Sequence, residues 1–214
     1  MIEARAREAL ERYSGLLAAR GWVANHDGNL SARVASNRVV CTPTATHKRD
    51  VTQGELVVTD TGGKKLSGRK GTPGEYGLHL AVYRARADVG AVVHAHPPFA
   101  TALGCSGREL VSFLPEAVVS LGKRVPLVPL AAPGPAAVAA LGPFFSGFDA
   151  VLVQGNGVFA WGDDVEQAFL RLELVEHLAT IATHAAPWGG PPPLASDLVD
   201  KLLEARRKAF PDKA

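Results

Sequence analysis

A short apolar segment that ends in two histidines and two prolines constrains this chain most. Residues 88–96 run Asp-Val-Gly-Ala-Val-Val-His-Ala-His, and Pro97 and Pro98 follow. The β-branched run predicts a strand, and the prolines predict its end because proline has no N–H for the sheet. Side chains two apart in a strand share a face, so His94 and His96 are predicted about 6–7 Å apart along one face. Such a pair can bind one divalent metal ion, or can simply be two polar side chains at a strand end.

The surrounding elements predict an α/β protein. Short β-branched runs lie between segments of helical periodicity, but strands and helices do not alternate one for one. This order favours a central, mainly antiparallel sheet with helices on its faces. Residues 125–130 are predicted as one strand, and 163–185 form the clearest amphipathic helix, with Asp163 or Asp164 as its N-cap. A final helix is predicted over 196–209 with Ser196 as its N-cap.

Composition indicates one ordinary globular domain. We predict a domain over residues 1–186, followed by a Pro-rich linker and a C-terminal helix over 187–214. The chain has 23 basic and 21 acidic residues, so its bulk charge predicts no nucleic-acid partner, and no apolar stretch predicts a membrane span. Cys41 and Cys105 lack the spacing of a disulfide or zinc motif, so we expect a reducing, cytoplasmic location.

A glutamate is predicted to lie over the two histidines. Residues 73–87 have the pattern of a helix with Pro73 at its first position and Glu75 in its first turn. The following strand returns over a similar length, so the helix N-terminus and the histidines are expected at the same end of the unit. Glu75 is therefore a candidate acid/base beside a metal, and alternatively a carboxylate that stabilises the helix N-terminus.

Six short motifs, in this order, resemble the class II aldolase/adducin family over about residues 5–183. They are Gly28-Asn-Leu-Ser, Thr42-Pro-Thr, Pro73-Gly-Glu, His79-Leu-Ala-Val-Tyr, His94-Ala-His-Pro and Leu152-Val-Gln-Gly-Asn-Gly-Val-Phe-Ala-Trp-Gly. The resemblance implies a three-layer α/β/α fold around a mainly antiparallel sheet, usually as a homotetramer with four-fold symmetry. It also implies a divalent metal, most commonly zinc, held by histidines.

The resemblance implies roles for particular residues. His94 and His96 match the family's paired metal ligands, and Glu75 matches the acid/base glutamate of the aldolases. Asn29 and Thr44 match residues that bind the substrate phosphate, and Gly74 stands where the family has one of two phosphate-binding serines. The implied substrate is a small sugar phosphate or related ketose such as dihydroxyacetone phosphate. The implied reaction makes or breaks a C–C bond through a metal-stabilised enediolate, with Glu75 moving the proton.

This chain departs from the family at the metal site. Asn156 stands in Gly155-Asn156-Gly157 where the family has its third histidine. An amide oxygen is a weaker zinc ligand than imidazole, so the third ligand is Asn156, Glu116, His177 or water. Glu116 is also the match to the acid/base glutamate of the dehydratase branch.

Three functions follow from these residues. The first is a metal-dependent aldolase-type lyase centred on Glu75, His94 and His96. The second is a dehydratase, epimerase or decarboxylase on the same scaffold, in which Glu116 transfers the proton. The third is a non-catalytic binding module like the adducin head domain, and the loss of the third histidine is the feature that favours it.

Overall fold

The structure, a computed structural model, describes residues 2–210. Its helices are α1 (Glu3–Ala19), α2 (Tyr76–Ala85), α3 (Pro98–Cys105), α4 (Pro115–Leu121), α5 (Pro135–Leu141), α6 (Val165–Ala185) and α7 (Ser196–Ala209). Its strands are β1 (Asn29–Ala35), β2 (Arg38–Cys41), β3 (Val57–Thr59), β4 (Lys65–Ser67), β5 (Ala91–Ala95), β6 (Leu110–Val111), β7 (Arg124–Val125), β8 (Leu127–Val128), β9 (Ala150–Val153) and β10 (Val158–Gly162).

Eight of these strands form one sheet with the histidine strand near its centre. The strand order is β4-β3-β2-β1-β5-β10-β9-β8, and β6 and β7 pair separately. Every neighbouring pair in the main sheet is antiparallel except β8 and β9, which are parallel. Asn29 of β1 and Phe159 of β10 flank His94 from opposite sides. The loops that precede β1 and β10 therefore meet at the end of β5.

Helices cover both faces of the sheet, as the sequence predicts for an α/β fold. Val93 and Ala95 of β5 belong to the larger core, which also contains the inward side of α1 and α6. Val92 faces the other way, into a second core with α2 and part of α5. Phe169 of α6 is 3% exposed and packs against the ring of Tyr13 on α1 at a centroid distance of 5.0 Å. The pleat thus directs alternate residues of β5 into two separate apolar layers.

Three local predictions need correction. Helix α2 begins at Tyr76 rather than residue 73, so Glu75 occupies the N-cap position and not the first turn. The strand predicted over 125–130 is interrupted at Pro126, which cannot donate to a ladder, and its halves join different sheets. Ser196 is the first residue of α7 and not its N-cap, since Ala195 holds that position.

Other boundaries agree with the sequence. Helix α6 ends at Ala185 as predicted, and the Asp164 carboxylate caps its N-terminus by accepting from the Gln167 N–H at 2.8 Å. Within residues 2–210, no helix is long and apolar enough to cross a membrane. Both cysteines are free thiols, Cys41 buried and Cys105 exposed.

Candidate active site

His94 is a fully buried residue whose ring orientation is set by β10. Its Nδ1 lies 2.9 Å from the carbonyl oxygen of Val158, so this nitrogen carries a proton and donates it. The ring also stacks on Phe159, with centroids 3.9 Å apart and planes 11° from parallel. The Nε2 atom is left as the reactive nitrogen and points away from the sheet partner.

His96 lies one residue beyond the end of β5 and is oriented by a carboxylate. Its Nδ1 is 3.3 Å from Asp27 Oδ2, and its Nε2 is 3.2 Å from His94 Nε2. Burial, and then the neighbouring His94, lowers the pKa of His96 below its ordinary value. The neutral ring with its proton on Nδ1 is therefore favoured at neutral pH, and its Nε2 lone pair faces His94.

Two glycines allow the flanking loops to approach the histidines. Gly28 has φ +69°, and a Cβ there would lie 2.6 Å from Val23 Cγ1 and 3.0 Å from the His94 carbonyl oxygen. Gly157 has φ +74°, and a Cβ there would lie 2.3 Å from the Ala95 carbonyl oxygen and 2.7 Å from the His96 ring. Only glycine fits both the left-handed backbone and the close contact at these positions.

Glu75 faces this histidine pair from the start of α2. Its Oε2 lies 3.0 Å from His94 Nε2 and accepts a hydrogen bond from the Asn29 amide at 3.0 Å. Its Oε1 accepts from the Asn156 amide at 2.5 Å. Burial opposes ionisation, but the His94 charge and the hydrogen bonds from His94, Asn156 and Asn29 outweigh it, so the pKa of Glu75 lies well below its usual range. Glu75 is a carboxylate at neutral pH.

The donor set of this cluster fits a cation. His94 Nε2 lies 3.2 Å from His96 Nε2 and 3.0 Å from Glu75 Oε2, so these three atoms need a shared positive charge, either a proton on His94 Nε2 or a metal ion in its place. The outer nitrogen of His94 donates to a carbonyl and that of His96 lies 3.3 Å from a carboxylate, which is the usual support for metal-binding histidines. Within residues 2–210, however, no three His, Cys, Asp or Glu side chains are already arranged to hold a metal. The imidazoles thus supply two ligands, and a complete site needs a further donor or a small movement of Glu75.

The remaining predicted site residues differ in their placement. Asn29 and Asn156 lie in the cluster as partners of Glu75, and Gly74 is exposed beside it. Thr44 is exposed, and its backbone N–H donates to the Gly71 carbonyl at 3.0 Å. That N–H is already used, so Thr44 offers its hydroxyl rather than its amide to an anion.

Two candidates lie apart from the cluster. Glu116 is exposed in the first turn of α4, and in the described part of the chain it forms no hydrogen bond or ion pair with the cluster. His177 is exposed on α6 and lines a different cavity, together with Trp22 and Glu173. Neither side chain belongs to the immediate surroundings of His94 and His96 in this single chain.

Asp27 is the site residue that sequence reasoning missed, because it resembles an ordinary turn former. Its Oδ1 also accepts from the Ala24 N–H at 2.6 Å, which closes the turn and fixes the carboxylate. Since Asn29 pairs with His94 in antiparallel register, extending that register by two residues places position 27 opposite position 96. Knowledge of the strand pairing is the signal that would have found it.

The chain belongs to the class II aldolase and adducin N-terminal domain family, whose model matches residues 8–183. The resemblance in the sequence motifs and the predicted α/β fold are thereby confirmed. The matched segment contains every residue of the cluster described above.

Known proteins of three different activities are similar to this chain. Methylthioribulose-1-phosphate dehydratase from Acidiphilium cryptum is 31% identical over 189 residues, which cover 83% of this chain and 89% of that protein. The 3-oxo-tetronate 4-phosphate decarboxylase from Escherichia coli is 30% identical over 186 residues, covering 84% and 87% respectively. The solved structure of an L-fuculose 1-phosphate aldolase superposes with a TM-score of 0.86 at 25% identity, covering 94% of this chain and 95% of that one. The chain is a class II aldolase-family enzyme, and these relatives differ in the reaction they catalyse.

Proposed function

We propose that this protein is a metal-dependent lyase that removes or returns a proton beside the carbonyl of a small phosphorylated ketose and makes or breaks a C–C bond there. The single observation that carries the proposal is the contact of the Glu75 carboxylate with His94 Nε2 at 3.0 Å, in a cluster where His96 Nε2 also converges. It combines a base with a cation-binding pair at one point, which is the requirement for enolisation.

Glu75 performs the proton transfer. In the direction of bond formation, Oε1 or Oε2 takes a proton from the carbon next to the carbonyl, and the electron pair of that C–H bond moves toward the carbonyl oxygen. In the direction of cleavage, Glu75 takes the hydroxyl proton of the carbon that becomes the aldehyde, directly or through water, as the electron pair of the C–C bond moves toward the carbonyl oxygen. The protonated Glu75 then gives this proton to the carbon that has lost its partner. Asn29 donates a hydrogen bond to one carboxylate oxygen of Glu75 and Asn156 donates to the other, so together they fix the orientation of the carboxylate during proton transfer.

His94 and His96 would hold the divalent ion, with Asn156 or Glu75 as further donor, and zinc suits the two imidazoles. When bound, such an ion supplies Lewis-acid stabilisation of negative charge on the substrate oxygen. The names of the relatives support a phosphorylated ketose as substrate. The phosphate is assigned to the loop that contains Thr44, with the backbone beside Gly74 at its edge. A homotetramer is proposed from the family membership, and light scattering tests it.

Proton exchange tests this proposal without knowledge of the aldehyde partner. The zinc-loaded protein is incubated with dihydroxyacetone phosphate in deuterated water, and the carbon-bound protons are followed by NMR. We expect one of the two protons on the hydroxyl-bearing carbon to exchange, and Glu75→Gln to slow this exchange by about 10²–10⁴-fold. Glu8→Gln, on the exposed side of α1, is the matched control. Undiminished exchange in Glu75→Gln would contradict the role given to this carboxylate.

A dehydratase or decarboxylase is the second candidate, and the names of two relatives favour it. Such an enzyme shares the activation of the carbonyl but breaks a different bond, and Glu116 is the acid/base assigned to it. Comparing product release from ketose phosphates in Glu116→Gln and Glu75→Gln separates the two. A loss confined to Glu116→Gln supports dehydration, whereas loss of C–C cleavage in Glu75→Gln supports the lyase. A protein that binds no zinc at micromolar concentration would favour the non-catalytic module instead.

A further inference from the structure

The backbone that follows His96 cannot be held by its own hydrogen-bond donors. The His96 N–H donates to the Trp22 carbonyl at 2.9 Å. Pro97 and Pro98 come next, and proline has no N–H to donate. Pro97 is also the N-cap of α3, where its side chain offers no acceptor to the free N–H groups of the first turn. The short segment between β5 and α3 must therefore be fixed by a group from elsewhere in the chain.

Glu176 on α6 is that group. Its Oε1 accepts from the Phe99 N–H at 3.1 Å, and its Oε2 accepts from the Ala100 N–H at 2.8 Å. The ring of Phe99 also packs against the ring of His184 on α6, with centroids 5.7 Å apart and planes 77° from parallel. Helix α3 thus begins at a fixed place on α6, although 76 residues separate Ala100 from Glu176.

Burying a carboxylate is a costly way to cap a helix. Glu176 is 6% exposed, and burial raises the pKa of its carboxyl, an effect that the two N–H donors only partly offset. A serine or aspartate beside the start of a helix satisfies the same kind of N–H group without burying a charge. The cost at Glu176 indicates a role that extends beyond α3 itself.

The two prolines transmit the position of α3 to His96. Each proline fixes its own φ near −65°, so Pro97 and Pro98 make a stiff connection. His96 lies three residues before Phe99, a span of at most about 10 Å. The 3.2 Å separation of its Nε2 from His94 Nε2 therefore depends on where this stiff segment lies. His94, in contrast, lies within β5 and is held by β10. A displacement of α3 would move His96 more than His94.

We propose that Glu176 is a positioning residue for metal binding, which holds the start of α3 and thereby sets the distance of His96 from His94. This inference rests on the proposed function, because it takes the two histidines as metal ligands. Asp27 orients the ring of His96, and Glu176 fixes the backbone to which that ring is attached. The histidine pair is thus arranged before the ion binds, which raises its affinity for the metal.

Zinc affinity tests the inference, measured by competition with a chromophoric chelator and without any substrate. Glu176→Gln keeps the size of the side chain but leaves one acceptor oxygen for two N–H groups, and Glu176→Asp keeps the charge but shortens the reach. We expect the zinc affinity of both variants to fall about tenfold. Glu173→Gln controls for the loss of negative charge, because Glu173 lies one turn earlier on α6, lines the same cavity and pairs with Arg20 at 2.6 Å.

Asp164→Ala controls for a loss of stability. Asp164 caps α6, so its replacement should lower the Tm while the contact between Glu176 and α3 remains. An equal fall of zinc affinity in Glu173→Gln would assign the effect to charge, and an equal fall in Asp164→Ala would assign it to general loosening. Unchanged affinity in Glu176→Gln would show that this carboxylate only caps α3. Each of these three results overturns the inference, whereas zinc binding by the wild type leaves the lyase proposal standing.

A measurement on the metal-free protein decides the matter if the wild type binds no zinc, which is the result that contradicts the proposed function. NMR of protein with nitrogen-15-labelled histidine records the ring signals of His94 and His96, and His96→Ala assigns them. We expect Glu176→Gln to shift the His96 signals more than those of His94. Unshifted His96 signals, or equal shifts of both rings, would overturn the positioning role.

Discussion

Two clusters of charged side chains in this molecule, one buried and one partly exposed, differ in how their charge is balanced. At Asp149, which is 1% exposed, the carboxylate lies 3.2 Å from Arg86, 3.2 Å from Arg171 and 2.5 Å from Arg206. Every contact there joins opposite charges. At Glu75, the contacts within the cluster join a carboxylate and two imidazole nitrogens, which are all acceptors unless a proton or a metal ion lies between them.

The balance at Asp149 is complete within the chain, which is typical of a structural cluster, whereas the Glu75 cluster is the one to which we assign a function. Arg206 also donates to the carbonyls of Val119 and Ser120, so the Asp149 cluster fixes α7 to the end of α4 and to the body of the domain. Through this contact, the C-terminal helix predicted after the linker packs on residues of the domain predicted over 1–186. The Glu75 cluster joins elements too, but under the proposed function a bound divalent ion completes its charge balance. Four predictions follow from this contrast.

The largest expected effect is on folding stability at Asp149. Asp149→Asn leaves three guanidinium groups without their shared carboxylate, and breaking a buried ion cluster costs about 3–5 kcal/mol of unfolding free energy. Asp200→Asn is the control, because Asp200 also links α7 to the body but through an exposed pair with Lys123 at 3.7 Å. Such surface pairs contribute about 0–1 kcal/mol. Urea unfolding measures the free energy of unfolding of both variants. Equal losses would show that the Asp149 cluster does not stabilise the attachment of α7.

Zinc should stabilise the folded protein by binding at the Glu75 cluster and not at the Asp149 cluster. At a free zinc concentration of 100 times Kd, binding to the folded state adds about 2.7 kcal/mol to the free energy of unfolding. We expect this gain in the wild type and its loss in His94→Ala, with the Tm followed by scanning calorimetry. Asp200→Asn should gain as much as the wild type. A zinc-dependent Tm in His94→Ala would place the metal elsewhere.

Asp27 should affect metal affinity through His96. Asp27→Asn keeps the shape of the turn but removes the carboxylate that faces Nδ1, and loss of such a partner lowers metal affinity about 10–100-fold. Competition with a chromophoric chelator measures this affinity without any substrate. The control is Asp50→Asn, at an exposed carboxylate on the neighbouring segment. Unchanged affinity would mean that Asp27 only closes its turn.

The smallest expected effect is a change in folding stability at alkaline pH, and it depends on Lys48. Lys48 is 2% exposed and donates to the carbonyls of Thr46 and His26, and burial lowers its pKa to about 8. The unfolded chain keeps the ordinary value near 10.5, so the folded state carries a cost for the protonated amine below pH 8. The free energy of unfolding of the wild type should therefore rise relative to Lys48→Met between about pH 8 and 10.5. A constant difference across that range would show that this amine keeps an ordinary pKa.

The sequence predicted those parts of the site that depend on local geometry. The two-residue period of β5 places His94 and His96 on one face. Because β5 runs back along α2, Glu75 at the start of α2 lies at the same end of the unit as the two histidines. The boundaries of α6 followed from its apolar periodicity and from Asp164. Pro126 was the local signal that the predicted strand at 125–130 overlooked.

The remaining parts depend on which segments become neighbours. Asp27 orients His96 because β1 pairs with β5 in a particular register, and the Val158 carbonyl orients His94 because β10 pairs on the other side. Asn156, predicted as a metal ligand, donates its amide N–H to Glu75. Glu116, another predicted site residue, is exposed and lies apart from the histidine cluster. The register between strands that are distant in the sequence depends on how the two cores pack. A single amino-acid sequence carries no periodic pattern from which that register can be predicted. The sequence by itself thus determined the family, the fold and the candidate histidine pair with Glu75, whereas only the tertiary structure decided which partner orients each of them.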